Sequence, residues 1–247
     1  MRRRNFITLL GGAAAWPVVA QAQQPALPVI GFLSSQSPDT YALFVAGFRQ
    51  GLKESGLEEG RNVAIEYRWA RSHFDQLPAL AAELVRLRVD VIAATGGLAS
   101  ALAAKSATTS IPIVFGSGTD PVQAGIVSSL NQPGGNVTGV SWFSIEATAK
   151  RLSLLHELAP AATVVAFLTN PKDPSLPPQL AAVQDTARAL DLRLIIVNAA
   201  TPDEIDTAYA ALVQQGARAV FVSTGPFFVN QRVQIVALAA RHALPSI

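Results

Sequence analysis

Apolar residues come in short unbroken runs along this chain, and most runs are followed by a longer stretch in which they recur every third or fourth position. Val29-Ile30-Gly31-Phe32-Leu33 is the first run, apolar throughout, as a strand buried on both faces must be. It closes in Ser34-Ser35-Gln36-Ser37-Pro38. From Tyr41 to Glu54, Leu43, Phe44, Gly47, Phe48 and Leu52 keep helical spacing, and Gly56 supplies a stop. "NVAIEYRWA" alternates like a strand, and "DQLPALAAELVRLRVD" reads as a helix with Asp75 as N-cap and Pro78 in its first turn. "VDVIAAT" and "IPIVFGSG" are two further strands, separated by the helix "LASALAAKSAT".

The rhythm breaks at "DPVQAGIVSSLNQPGGNVTGVSWFS", rich in Gly, Ser and Asn, and then resumes. Glu146 to Leu158 is helical; "ATVVAFLTN", "LRLIIVNA" and "ARAVFVST" are strands. "PPQLAAVQDTARAL", "TPDEIDTAYAALVQQG" (Thr201 as cap, Pro202 first) and "FFVNQRVQIVALAARH" are helices, and "LPSI" starts another strand. Strands alternating with helices of this length mean βαβ units, parallel sheets and right-handed crossovers. The expected fold is α/β: two doubly wound, Rossmann-like lobes around a central cleft. Residues 23–119 form the first lobe, 120–145 a crossing segment or hinge, and 146–247 a second, incomplete lobe.

In such sheets ligands sit beyond the carboxyl ends of the strands. The polar tips there are Ser34-Ser35-Gln36, Thr95-Gly96-Gly97, Ser117-Gly118-Thr119-Asp120, Asn170-Pro171-Lys172 and Ser223-Thr224-Gly225. Small polar residues and free N–H groups at helix starts favour a carboxylate or phosphate. Thr95-Gly96-Gly97 either admits a ligand close to its backbone or is a tight turn capped by Thr95. Asp120 either holds a ligand ammonium or caps a helix after Pro121. Trp142 with Phe143, and Phe227 with Phe228, either stack on a ligand or plug the core. Lys105 and Lys150 read as solvated.

The first 22 residues carry a different pattern: Arg2 to Arg4, an apolar run from Phe6 to Ala20, then Ala20-Gln21-Ala22. This is the layout of a cleaved secretory signal, too short in its apolar part to span a bilayer. Arg3-Arg4-Asn5-Phe6-Ile7 partly matches a twin-arginine signal. Taking residues 1–22 away removes three of the 19 basic residues and none of the 17 acids, leaving 16 against 17. That balance gives no electrostatic case for nucleic acid. The absence of Cys excludes disulfides, thiol nucleophiles and a lipid anchor on Cys. His73, His156 and His242 are scattered, so no metal site is expected. No phosphate-binding loop, dinucleotide fingerprint or G-x-S-x-G elbow occurs, and neither a catalytic residue nor a cofactor is expected.

The leader, "VIGFLSS", "FRQGLKESGLEEGRNVAIEYRWA", "ATGGLASALAAKSATTSIPIVFGSGTDPVQAGIVSSLNQPGGNVTGV", "RLSLLHELAP" and "VALAARHALPSI" together resemble the exported substrate-binding proteins of ABC transporters. The branch is the one related to tryptophan- and tyrosine-binding proteins. The resemblance implies a type I periplasmic binding fold, no enzymatic activity, and a monomer in the periplasm that closes on an amino acid or related carboxylate and presents it to a membrane permease. A ligand-sensing subunit or an exported α/β enzyme are the alternatives. It also implies ligand contacts at Ser34, Ser35, Thr95, Gly96, Thr119, Asp120 and Asn170; Gly97 and Gly225 from the tips, Trp142 from the crossing segment and Phe227 from the last helix join them as candidates. Many relatives carry an acid before Pro-Phe-Phe where this chain has Gly225, which shifts an ammonium to Asp120 or changes the ligand. Relatives also continue several dozen residues past "LPSI", so weakened stability and closure are expected.

Overall fold

The structure is a computed structural model describing residues 27–247. The expected export leader and the expected cleavage near Ala22 lie outside the described residues. The first lobe runs β1 (Val29–Ser34), α1 (Ala42–Glu54), β2 (Ala64–Trp69), α2 (Leu77–Arg86), β3 (Val91–Thr95), α3 (Leu98–Ala107), β4 (Ile113–Ser117) and β5 (Val137–Ser141). Its sheet has the order β2-β1-β3-β4-β5, with every neighbouring pair parallel. The second lobe runs α4 (Thr148–Leu158), β6 (Val164–Thr169), α5 (Leu176–Ala189), β7 (Arg193–Asn198), α6 (Pro202–Gln214), β8 (Ala219–Val222), α7 (Pro226–Asn230) and α8 (Arg232–Arg241). Its parallel sheet is ordered β7-β6-β8. The "LPSI" run joins it: Ser246 bridges Val220, and Val222 N–H donates to Ile247 O at 2.9 Å.

Each sheet is covered on both faces, as fully apolar strands require. In the first lobe Leu33, Ile92 and Phe115 pack with Leu84 and Ala101 on one face, while Ile30 and Phe32 pack with Val45 on the other. In the second, Leu168 and Val220 meet Tyr209 and Leu238, and Phe167 and Phe221 meet Leu152 and Val183. Gly31 has a packing role: a Cβ there would stand 3.0 Å from the Leu84 side chain, so the glycine lets α2 lie close on β1.

Three local expectations change. The segment expected to be a crossing segment or hinge, 120–145, contains the edge strand β5. Its sequence hid this because Gly139 interrupts the apolar run, yet a Cβ at Gly139 would meet Phe115 O at 2.3 Å. The glycine therefore marks close pairing with β4, not a loop. Asp75 does not cap α2; it lies in a 3-10 turn, Phe74–Gln76, and the N-cap Gln76 makes no side-chain bond. Pro78 in the first turn has no N–H to satisfy, which reduces what a cap could gain. The single helix expected from Phe227 to His242 is broken at Gln231 into α7 and α8. Thr201 does cap α6, accepting Glu204 N–H at 3.3 Å.

Candidate functional site

The loops after β1, β3 and β4 emerge at one end of the first sheet, because Ser34 pairs with Thr95 and Ser117 with Ser141 across it. The loops after β6 and β8 face them from the second lobe. Between the two sets lies a cavity of about 290 Å³, at the lower end of the roughly 300–1,000 Å³ usual for small-molecule sites. The lobes touch beside it. A Cβ at Gly97 would stand 2.9 Å from Pro226 Cγ, and Asn230 Nδ2 donates to Gln36 Oε1.

The first-lobe wall is aromatic and backbone-rich. Phe32, Tyr41, Phe44, Phe48, Phe74 and Trp142 line the cavity with Thr95, Gly96, Gly97 and Thr119. Phe32 sits between Phe48 and Trp69 at ring-centroid distances of 5.2 Å, and Tyr41 stacks on Phe44 at 4.5 Å. The hydrophobic core of the lobe thus continues into the cavity. Gly96 and Gly97 have φ of 79° and 101°, a region glycine occupies without strain. A Cβ at Gly96 would stand 2.7 Å from Ser34 Oγ and 2.9 Å from Ser35 Oγ. No side chain caps α3 at Gly97, and the first residues of that helix, Leu98 and Ala99, line the cavity. Burial raises the Tyr41 phenol above its usual value, opposed by bonds with the Gly96 backbone and the Thr95 side chain, and the phenol stays protonated at neutral pH.

The second-lobe wall is polar: Asp173, Ser175, Thr224 and Asn230, beside Gly225 and Pro226. The loop after β6 is set by Asn170, whose O accepts Asp173 N–H at 3.1 Å and whose Oδ1 accepts Lys172 N–H at 3.0 Å. Asp173 Oδ1 then accepts from Ser175 N–H and Oγ–H at 2.9 and 2.7 Å. Gln179 braces this loop to the one after β8, donating to Thr224 O at 2.9 Å and accepting Thr224 N–H at 2.6 Å. Arg151 donates to Thr224 Oγ1 at 2.5 Å while its guanidinium lies over the Phe221 ring. Burial raises the Asp173 carboxyl, and the two Ser175 bonds oppose it. Burial lowers Arg151.

The family model described as ABC transporter substrate binding protein matches residues 27–246. The chain belongs to that family. It is 30% identical over 202 residues to a "Tyrosine-binding protein" of Clostridioides difficile (strain R20291), a match covering 81% of this chain and 57% of the relative. The chain therefore spans little more than half the length of that relative. Among solved structures it is similar to a conserved domain protein from Vibrio cholerae, at 23% identity and TM-score 0.75, covering 89% of this chain and 73% of that one. A second similar structure is an ABC domain in complex with L-Trp from Streptococcus pneumonia, at 21% identity and TM-score 0.74, covering 90% and 73%. The fold is that of the type I periplasmic binding proteins.

Within this substrate-binding fold, the residues singled out in the sequence separate into two groups. Thr95, Gly96, Gly97, Thr119, Trp142 and Gly225 line the cavity. Ser34, Ser35, Asp120, Asn170 and Phe227 do not. Ser34 and Ser35 are buried beneath it: Ser34 Oγ accepts Gln36 N–H, and Ser35 Oγ donates to Gly96 O at 2.6 Å. Asp120 turns away and accepts Val122 and Gln123 N–H at 2.8 and 3.2 Å, capping a turn where a helix was expected after Pro121. Asn170 shapes the Asp173 loop, and Phe227 is a core side chain. Thr95 does not cap α3; its hydroxyl donates to Leu33 O at 3.4 Å. Asp173, Ser175, Thr224, Asn230, Tyr41 and Phe44 went unnoticed as site residues. The polar tips held part of the signal, since Thr224 lies within one and Asp173 directly follows another.

Proposed function

We propose that this protein is an exported, monomeric solute-binding protein of an ABC import system. It captures a small ligand, an amino acid or related aromatic carboxylate, between its lobes, in the periplasm, and hands it to a membrane permease without chemical change. The observation that carries this reading is the cavity between strand-tip loops of both lobes, with an aromatic wall on one side and a polar wall on the other. A ligand carboxylate fits the uncapped start of α3, where N–H groups and the helix dipole favour negative charge. An aromatic side chain fits among Tyr41, Phe44 and Trp142. Family membership and the 30% identical tyrosine-binding relative support it, and hinge closure around a ligand is the common mode of such two-lobed folds. Thermal unfolding against a panel of amino acids and aromatic acids tests it, because a ligand bound to the native state alone raises the melting temperature. A rise confined to aromatic members is expected; a cooperative melt with no shift for any member contradicts the reading.

A further inference from the structure

Among the described residues lining the cavity, Asp173 is the only one that carries a charge, and none is Lys, Arg or His. One of its carboxylate oxygens is used up by the loop, since Oδ1 accepts both Ser175 bonds. The other, Oδ2, makes no hydrogen bond or salt bridge among the described residues. It points to Gly225, where an added Cβ would lie 2.6 Å away. The backbone φ there is −165°, extended and open to any residue. The space that a side chain at position 225 would fill is thus taken by the Asp173 carboxylate, reaching across from the neighbouring loop. A position near the start of α5 suits an acid through the helix dipole. That accounts for the Ser175-bound oxygen but not for the free one facing an apolar, aromatic-walled space. Burying a carboxylate without a counter-charge is costly, and the cavity supplies none.

We infer that Asp173 Oδ2 is the seat for a ligand ammonium group, so that this cleft selects aromatic compounds bearing a primary amine over aromatic acids that lack one. The inference rests on the binding function proposed above and narrows it. An anionic ligand without an amine would face Asp173 with no cation to offset the repulsion, whereas an ammonium supplies the missing charge and fills the free acceptor. The site pairs this charge with the uncapped start of α3 on the opposite wall, so an aromatic amino acid satisfies both ends.

The test compares L-tyrosine, tyramine and 3-(4-hydroxyphenyl)propionate, which carry both charged groups, the ammonium alone and the carboxylate alone. Melting shifts and calorimetric titrations are read for the wild-type protein, Asp173→Asn and Gly225→Ala. Affinity in the order L-tyrosine, tyramine, propionate is expected for the wild type. Asp173→Asn loses at least about 30-fold for the two amines and none for the propionate. Gly225→Ala, whose Cβ displaces the carboxylate while leaving its charge in place, weakens the amines in the same direction and decides the matter if Asp173→Asn fails to fold. A wild type that binds the propionate as well as L-tyrosine, or variants that keep the amine preference, overturn the inference while leaving the binding function intact. No binding of any of the three compounds overturns the inference, and the binding function falls with it only when the full panel of amino acids and aromatic acids also gives no shift.

Discussion

The two walls of the cleft are built on opposite principles. The first-lobe wall is an extension of a hydrophobic core, where Phe32 and Phe48 pack with Trp69 and also border the cavity, and Tyr41, Phe44 and Trp142 carry the aromatic surface further along it. Its polar contribution is backbone, exposed by glycines at positive φ. The second-lobe wall is a network of side-chain hydrogen bonds, with Gln179 and Arg151 fixing the loops that present Asp173 and Thr224. One wall supplies apolar area and a helix start, the other a carboxylate and oriented polar groups. Apolar burial is non-directional, while charge pairing is directional and strengthened by exclusion of water. Affinity is therefore expected to draw on the first wall and discrimination on the second.

Several substitutions break this division in order of size. Asp173→Asn is the largest: truncating one partner of a buried charge pair costs about 2–5 kcal/mol, so an amine ligand should lose at least about 30-fold in a calorimetric titration. The same change should raise the melting temperature of the ligand-free protein at neutral pH. The burial-raised carboxyl contributes stability that is fully present below the ordinary value of 3.8 and lost as pH rises through the raised value. Asparagine removes that loss, and the gain should vanish at acid pH. On the first wall, Gly96→Ala forces a Cβ against Ser34 Oγ at positive φ, and should destabilise the protein by about 2 kcal/mol or more in denaturant unfolding. Gln179→Ala strands the Thr224 N–H and C=O; a loss of about 1–3 kcal/mol in stability is expected. Its cost should grow in ligand affinity more than the fold alone explains if the polar wall sets discrimination. Trp142→Ala is the smallest: the side chain is 60% exposed, so the melt of the free protein should be unchanged. Aromatic ligands should weaken by about 1 kcal/mol, near fivefold.

The sequence made the sheet–helix alternation legible because strands buried on both faces must be apolar throughout, as β1, β3 and β6 are. β5 was not legible, because its exposed edge position and Gly139 remove the apolar run. The cavity lining was legible where the cue is backbone: Gly96 and Gly97 both line it at positive φ, with no room for a Cβ. It was less legible where a residue serves two roles. Tyr41 and Phe44 sit at core-like helical spacing, and nothing local distinguishes a ring facing the core from one facing the cleft. Ser34 and Ser35 show the reverse, polar tips consumed by the scaffold. Asp173 lies one residue beyond a recognised tip, and only the loop geometry set by Asn170 and Ser175 turns it toward Gly225.

The most direct measurement is a calorimetric titration of L-tyrosine into the wild-type protein, Trp142→Ala and Asp173→Asn. The account predicts one-to-one binding, weakened by both substitutions and more by Asp173→Asn. Absence of binding by the wild type, or binding that neither substitution alters, would contradict it.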